Sequence, residues 1–141
     1  MIVFDIVGAR PRVLRPADIK KLGHELARVL RLRETKDIGV RFVTPRTIQA
    51  LNARYRGIHR PTDVLSFSIP DQTSLGDLVI CSSYAREQTK RRKISLREEL
   101  IRLLAHGTLH LAGFDHATPK TEARMFGLQE QCVSAVSSPS L

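Results

Sequence analysis

The sequence predicts a single domain of the α/β class, of the α+β type, with about four strands and about five helices. Its length of 141 residues suits one hydrophobic core. Hydrophobic residues make up 42% of the chain, and segments of strand and helix character alternate along it. No repeat or low-complexity linker divides the sequence. We therefore expect residues 1–136 to form one domain and residues 137–141 to be a frayed tail.

The N-terminal third predicts a strand, a helix and a second strand. Residues 2–7 are mostly β-branched and are followed by a glycine, which is typical of a strand that ends in a turn. Residues 17–32 carry apolar side chains at helical spacing, after Pro16, which the first turn of a helix tolerates. In residues 37–44, apolar side chains alternate with glycine and arginine, which predicts a strand.

The middle third predicts a helix followed by two strands. Thr44 is a suitable N-cap for a helix that begins at Pro45 and continues to about Tyr55. Residues 62–69 alternate with a period of two, which predicts a strand. Residues 75–81 form a short apolar run that predicts another.

The C-terminal third predicts three helices. Residues 84–93 form a polar, basic helix, with one of the two serines before it as the expected N-cap. The next helix follows Ser95, and Glu98 three residues later completes the pattern of a capping box. Its leucines fall on one stripe, which predicts a core-facing helix. Residues 119–136 form the last helix.

The chain is strongly basic, and its charge is concentrated in two places. It has 23 Lys and Arg residues against 14 acidic residues, a net charge of +9, which predicts attraction to a polyanion, nucleic acid before an anionic membrane surface. The helix over 84–93 is one concentration, and its alternative interpretation is a solvated helix face. The other is a loop with Arg54, Arg56, His59 and Arg60, which is either an ordinary basic loop or a clamp for phosphate.

Cysteine usage and hydropathy indicate the compartment. Cys81 and Cys132 are far apart and outside any CxxC pattern, so a disulfide framework is not expected and a reducing cytosol is favoured. The apolar segment over 2–7 is too short for a secretory signal, and no apolar run approaches membrane-spanning length. We expect a cytoplasmic protein with no membrane partner.

A histidine cluster near the end of the central helix predicts a metal site. His106 and His110 are four residues apart, so they differ by only ~40° around a helix axis and leave it on the same side. Gly113 can end the helix and reverse the chain, which could bring His116 beside them. Three imidazoles converging from one side suit a zinc-type cation with a fourth position open.

The cluster differs from a metalloprotease motif at one position. In HExxH sites a glutamate follows the first histidine and acts as general base, whereas here that position is Gly107. Peptide hydrolysis by that mechanism is therefore not expected, and metal-bound hydroxide itself, or a nearby group such as Asp115, would have to serve in place of the glutamate. The alternatives are three unrelated histidines, or a structural zinc site completed by Cys132 or Asp115, although closed sites usually contain more cysteine.

Three segments upstream strengthen the interpretation of the histidine segment, HGTLHLAGFDH at 106–116. They are LNARYR at 51–56, TDVLSF at 62–67 and LGDLVI at 75–80. In this order and spacing the four segments resemble the YbeY family, the bacterial endoribonucleases of rRNA maturation. The resemblance covers roughly residues 38–131 and is far more specific than a histidine pattern alone.

The resemblance implies a small mixed sheet flanked by helices, and one zinc ion per chain held by His106, His110 and His116. It implies cleavage of single-stranded RNA, maturation of the 16S rRNA 3′ end and ribosome quality control. The functional arginine of the family falls on Arg56, which implies a catalytic clamp for phosphate or the transition state. The implied partners are the 16S rRNA precursor and the small ribosomal subunit, with ribosome-associated proteins as further candidates.

Three functions stay open at this point. The first is the zinc-dependent endoribonuclease. The second is a non-catalytic, rRNA-binding ribosome-assembly factor with a structural zinc ion, and the third is a metal-dependent hydrolase of another substrate. The sequence is compatible with attack on phosphate by water or by the ribose 2′-hydroxyl. A fourth protein ligand would favour the second function over the first.

Overall fold

A computed structural model describes residues 1–69 and 71–137 of the chain. These residues form four strands and five helices in one α/β unit, which confirms the predicted fold class. None of the helices in this part of the chain combines the length and apolar character needed to cross a bilayer. The elements, in chain order, are β1 (Ile2–Val7), α1 (Pro16–Leu30), β2 (Lys36–Phe42), α2 (Pro45–Arg56), β3 (Val64–Ser68), β4 (Ser74–Ile80), α3 (Ser82–Arg92), α4 (Leu96–Leu111) and α5 (Pro119–Ser137).

The four strands form a mixed sheet in the order β1-β2-β4-β3. The β1–β2 and β2–β4 pairs are parallel, whereas β3 and β4 pair antiparallel. Within the described residues β3 has a strand neighbour on one side only, so it forms an edge of the sheet. This edge strand borders the cavity that contains the candidate site.

The main hydrophobic core packs helices α1 and α4 against one face of the sheet, and α5 packs on these two helices. Alternate residues of the two central strands point into it, such as Ile38 and Val40 of β2. The leucine stripe of α4 is buried there as predicted, with Leu100 and Leu104 fully enclosed. A smaller cluster around Ile48 packs α2 against the other face. The sheet thus fixes both α4 and α2, the helices that carry the candidate site.

Two helix boundaries differ from the sequence predictions by two residues. Helix α1 ends at Leu30, two residues early, because Arg31 adopts a left-handed conformation with φ of 56°. Helix α3 begins at Ser82 and has Cys81 as its N-cap, so the predicted serine cap is wrong. The physical reason is that the N–H of Ala85 donates the first helical hydrogen bond to the carbonyl of Cys81, at 3.1 Å. Strand β4 therefore leads into α3 with no intervening loop.

The predicted N-cap of α4 is confirmed, but only one of the two hydrogen bonds of the predicted capping box forms. The Ser95 hydroxyl accepts a hydrogen bond from the N–H of Glu98 at 3.0 Å. The Glu98 carboxylate accepts from Arg102 instead of returning to the cap.

At the far end of the chain, α5 continues through Ser137, and the predicted tail over 138–141 lies outside the described residues. The extent of the domain stays a prediction.

A buried ion pair joins α1 to α4. The Asp18 side chain is 2% exposed and accepts two hydrogen bonds from the Arg97 guanidinium, at 3.0 and 2.7 Å. Asp18 also accepts from the backbone N–H of Arg15 at the start of α1. The Arg97 bonds, followed by those from Arg15, hold the pKa of Asp18 well below its ordinary value. The carboxylate therefore remains charged in the folded protein down to strongly acid pH.

Replacing Asp18 by asparagine should lower the free energy of unfolding by about 3 kcal/mol at neutral pH, because Arg97 loses its counter-charge in a partly buried position. Since folding lowers the pKa of Asp18, its stabilisation is fully present above the ordinary aspartate pKa and is lost as the pH falls toward the folded-state value. The difference in stability between wild type and Asp18→Asn should therefore shrink below about pH 4. Urea unfolding at a series of pH values measures it.

Glu25→Gln provides the control on the same helix, because Glu25 pairs with the exposed Arg28. Exposed pairs contribute little, so this variant should unfold almost like wild type. A stability difference for Asp18→Asn that stays constant from neutral to acid pH would argue against the buried pair as its cause.

Candidate active site

Three histidines converge at the end of α4, as their spacing predicts. His106 and His110 are partly buried on one side of the helix, one turn apart. Gly113 has a φ of 100°, a conformation that glycine adopts without strain. The N–H of Gly113 donates to the carbonyl of His110 at 3.0 Å, which closes the helix end. The chain reverses there and carries His116 back to the other two.

The geometry of the three rings suits a small cation. One ring nitrogen from each histidine can be chosen such that all three lie within 4.8 Å of one another. The ring centroids are 4.8 Å apart for His106 and His110, 4.9 Å for His110 and His116, and 6.0 Å for His106 and His116. Tetrahedral zinc–nitrogen bonds place ligand nitrogens about 3.3 Å apart. Small side-chain movements would therefore bring the three nitrogens to zinc, and their role as ligands stays a prediction.

The surroundings favour neutral imidazole at the centre of the cluster. Burial, and then the neighbouring rings of His106 and His116, lower the pKa of His110. Asp115 opposes this effect and Arg56 adds to it. A neutral ring has a free nitrogen lone pair, which is the form that binds a metal ion.

Cys132 and Asp115, the two candidates for a fourth ligand, do not point into the histidine cluster. Cys132 is fully buried in the core, and burial raises the pKa of its thiol to about 11. Asp115 is exposed, and its carboxylate accepts a hydrogen bond from the N–H of Ala117 at 3.1 Å. Within the part of the chain that the structure describes, neither residue belongs to the group of converging ligand atoms.

Gly107, which stands where an HExxH metalloprotease has its catalytic glutamate, packs against the sheet. A Cβ atom at this position would lie 2.6 Å from a methyl carbon of Leu78 in β4, well inside van der Waals contact. Leu78 is fully buried, so α4 packs directly on the sheet at this point. No glutamate side chain fits there, and the position faces the core.

Gly107→Ala should destabilise the protein by about 1 kcal/mol, because overpacking against Leu78 outweighs the gain in helix propensity. Gly127→Ala in α5 is the matched control, since nothing lies within 4 Å of its added Cβ. The control should stabilise the protein by up to about 1 kcal/mol. Thermal or urea unfolding compares the two, and a stabilised Gly107→Ala would disprove the close packing.

Arg56 lies in the same cavity as the three histidines. It is the last residue of α2, and the cavity of about 700 Å³ extends from there along β3 to the end of α4. Among the described residues Arg56 has no hydrogen bond or ion pair, so its guanidinium is free for an anion. Of the four positive or titratable residues in the predicted basic loop, Arg56 alone lines this cavity. Its catalytic role stays a prediction.

Asn52 positions the loop that follows Arg56. It is buried one turn earlier in α2, and its side-chain amide donates to the carbonyl of Arg60 at 2.9 Å. The loop is thereby folded back against α2 before the chain enters β3. This arrangement holds the end of α2 beside the edge strand.

Two further residues of the cavity were not singled out by sequence reasoning. Tyr55 is 57% exposed, and its ring meets that of Phe67 edge to face at 5.2 Å. Asp63 accepts hydrogen bonds from the N–H of Val64 and the hydroxyl of Thr62, at 2.8 and 3.3 Å. Both residues belong to the segments that carry the family resemblance, which was the available signal.

Comparisons with known proteins agree on one family. The family model described as Endoribonuclease YbeY matches residues 15–137. A protein described as Endoribonuclease YbeY from Bifidobacterium longum subsp. infantis is 34% identical over 137 residues, which cover 90% of this chain and 75% of that protein. A protein of the same description from Bdellovibrio bacteriovorus is 36% identical over 134 residues, covering 92% and 89% respectively.

A solved structure shares the fold of this chain. The solution structure of TM1509 from Thermotoga maritima matches this fold with a TM-score of 0.66 and 28% sequence identity, over 96% of this chain and 89% of that one. The family model covers most of the sequence, and the curated relatives match over most of their own length. The chain therefore belongs to the YbeY family.

Proposed function

We propose that this protein is a zinc-dependent, single-strand-specific endoribonuclease that acts in 16S rRNA 3′-end maturation and ribosome quality control in the cytoplasm. Its relatives are described as endoribonucleases, which supports RNA as the substrate. The observation that carries the proposal is the cavity shared by three converging imidazoles and the Arg56 guanidinium, which has no hydrogen-bond or ion-pair partner among the described residues. A cation site facing a free arginine suits a phosphodiester.

In this proposal His106, His110 and His116 hold one zinc ion per chain. Three neutral imidazoles leave the ion its full positive charge, and the burial that lowers the pKa of His110 favours the neutral ring. A bound zinc ion would polarise a phosphoryl oxygen and acidify nearby water. The partial burial of His106 and His110 would shield the ion from bulk solvent on the helix side.

Arg56 binds the scissile phosphate and stabilises the charge that develops on it. A guanidinium can donate two parallel hydrogen bonds to phosphate oxygens, and this geometry suits the transition state of phosphodiester cleavage. The backbone of Arg56 is already held in α2, so binding of phosphate orders only the side chain. The positive charge of Arg56 also contributes to the lowered pKa of His110, which favours the neutral form of that ring.

The shape of the cavity supports a single strand of RNA as the occupant. Its wall follows residues 62–68, which include the whole edge strand β3, so an extended chain can lie along it. Tyr55 is more than half exposed next to Arg56, with the Arg54 guanidinium 5.4 Å from its ring centroid. An unstacked base can lie against the exposed part of this ring. Bases in a duplex are already stacked and paired, so they cannot use this ring. The net charge of +9 supports binding to the 16S precursor and the small subunit.

The alternative functions have less support. A structural zinc site needs a fourth protein ligand, and residues 1–69 and 71–137 offer no further histidine, cysteine or carboxylate in the converging group. A peptidase of the HExxH type needs a glutamate at the position of Gly107, where the core leaves no room.

The proposal is tested by cleavage of a 16S precursor fragment. Zinc-free protein, zinc-reloaded protein and a chelator control are incubated with the fragment in single-stranded form and annealed to its complement. We expect cleavage only with zinc and only of the single strand, and accumulation of unprocessed 16S 3′ ends in a deletion strain. Equal cleavage by zinc-free protein, or normal 16S ends in that strain, would contradict the proposal.

A further inference from the structure

Gln129 is a buried polar residue that contacts the histidine cluster. It lies on the core face of α5, in line with Met125 and Val133, and is only 6% exposed. Its side-chain oxygen Oε1 is 2.8 Å from Nδ1 of His106. A buried amide on an otherwise apolar helix face needs hydrogen-bond partners, and a histidine of the candidate metal site is one of them.

The second partner of Gln129 fixes the orientation of its amide. The side-chain nitrogen Nε2 donates to Oε2 of Glu130 at 3.1 Å. An ionised carboxylate can only accept hydrogen bonds, so the NH₂ end of the amide must face Glu130. The carbonyl end consequently faces His106. The two ends of an amide have nearly the same shape, so the chemistry of the two partners sets its orientation.

Glu130 is itself held in place by an ion pair between α5 and α4. Arg102 donates to both of its carboxylate oxygens, at 2.8 and 2.9 Å. Arg102 is largely buried and also binds Glu98 and Glu99 of its own helix. This pairing lowers the pKa of Glu130, so its carboxylate stays ionised. The network therefore keeps an acceptor permanently aimed at the Gln129 amide.

The orientation of Gln129 determines which nitrogen of His106 carries the proton. A carbonyl oxygen cannot donate, so the 2.8 Å contact requires an N–H at Nδ1 of His106. Nε2 of a neutral ring is then free of hydrogen and offers its lone pair. Histidine ligands of metal sites are held in this way by an acceptor on the second nitrogen.

We propose that Gln129 is a positioning residue that fixes the tautomer and ring orientation of His106, and that it thereby sets the affinity of the three-histidine site for zinc. The inference rests on the proposed metal site but adds a residue from α5, an element outside the histidine segment. Gln129 acts through His106 and does not touch substrate.

The first test observes the tautomer in the metal-free protein. Nitrogen-15 NMR of the imidazoles, at a pH well above the ordinary histidine pKa, distinguishes Nδ1–H from Nε2–H rings. We expect His106 in the Nδ1–H form in wild type and a shift toward the Nε2–H form in Gln129→Leu. An Nε2–H ring in wild type would overturn the inference, and this result requires neither zinc binding nor a variant.

The second test measures zinc affinity by competition with a chromophoric chelator. Gln129→Leu should bind zinc about 10- to 100-fold more weakly than wild type. Gln131→Leu, an exposed glutamine two residues further along α5, should match wild type. Equal affinity of Gln129→Leu and Gln131→Leu would overturn the inference while leaving the metal site intact. If the wild-type protein bound no zinc, both the metal site and the proposed effect of Gln129 on its affinity would be contradicted.

A rescue variant separates positioning from general packing. The double substitution of Gln129→Glu with Glu130→Gln keeps both side-chain volumes, one negative charge, and an acceptor facing His106. It also removes the carboxylate that Arg102 binds, so its reference is Gln129→Leu combined with Glu130→Gln, which loses the same ion pair. We expect the rescue variant to bind zinc about 10- to 100-fold more tightly than this reference, since a carboxylate accepts the His106 N–H as an amide does. Equal affinity of the two double variants would overturn the inference.

Discussion

His110→Ala is expected to lose zinc binding and RNA cleavage together. His110 is the middle ligand of the predicted three, and its removal leaves two imidazoles, too few to hold zinc against water. Without the ion, cleavage should fall at least about 1,000-fold, which corresponds to about 4 kcal/mol of activation free energy. Zinc content by elemental analysis and cleavage of a single-stranded 16S fragment, measured on the same preparation, provide the test.

His24→Ala is the matched control for this experiment. His24 is an exposed, solitary histidine on α1 and has no part in the cluster. The control should keep full zinc content and activity. Undiminished cleavage by His110→Ala protein that has been freed of contaminating nucleases would refute a zinc-dependent reaction at this site.

Arg56→Ala is expected to separate metal binding from catalysis. Arg56 lines the cavity but is not among the converging ligands, so zinc content should match wild type. Cleavage should fall about 100- to 1,000-fold, the usual effect of removing one donor that stabilises transition-state charge. Arg56→Lys should recover only part of the rate, because an ammonium cannot make the two parallel bonds of a guanidinium.

Arg46→Ala controls for the loss of one positive charge. Arg46 is exposed at the opposite end of α2 and does not line the cavity. Both variants should show similarly modest losses of RNA affinity at low salt, whereas only Arg56→Ala should lose turnover. Comparable cleavage rates for the two alanine variants would rule out a special role for Arg56.

Local signals in the sequence predict most of the elements and the convergence of the histidines. Ser95 and Thr44 accept hydrogen bonds at the starts of α4 and α2, as their cap positions predict. The reversal at Gly113 also follows from sequence, since few residues other than glycine adopt its φ of 100°. These features depend on neighbours within a few residues, which is why a pattern of spacing reveals them.

Features that depend on long-range contacts were not predictable in the same way. Asp18 pairs with a partner 79 residues away, and nothing near it in sequence indicates Arg97. The contact between His106 and Gln129 spans 23 residues, although a glutamine on the apolar stripe of α5 is a signal in hindsight. The strand order was equally hidden, because parallel pairing of β1, β2 and β4 depends on how the helices cover the sheet.

We propose that a zinc ion held by the three histidines shares one cavity with Arg56. The most direct test is anomalous diffraction at the zinc edge, from crystals grown with zinc and a non-cleavable single-stranded RNA. We expect one peak among His106, His110 and His116, with an RNA phosphate between the ion and Arg56. A peak elsewhere, or a fourth protein ligand that closes the coordination sphere, would contradict the account.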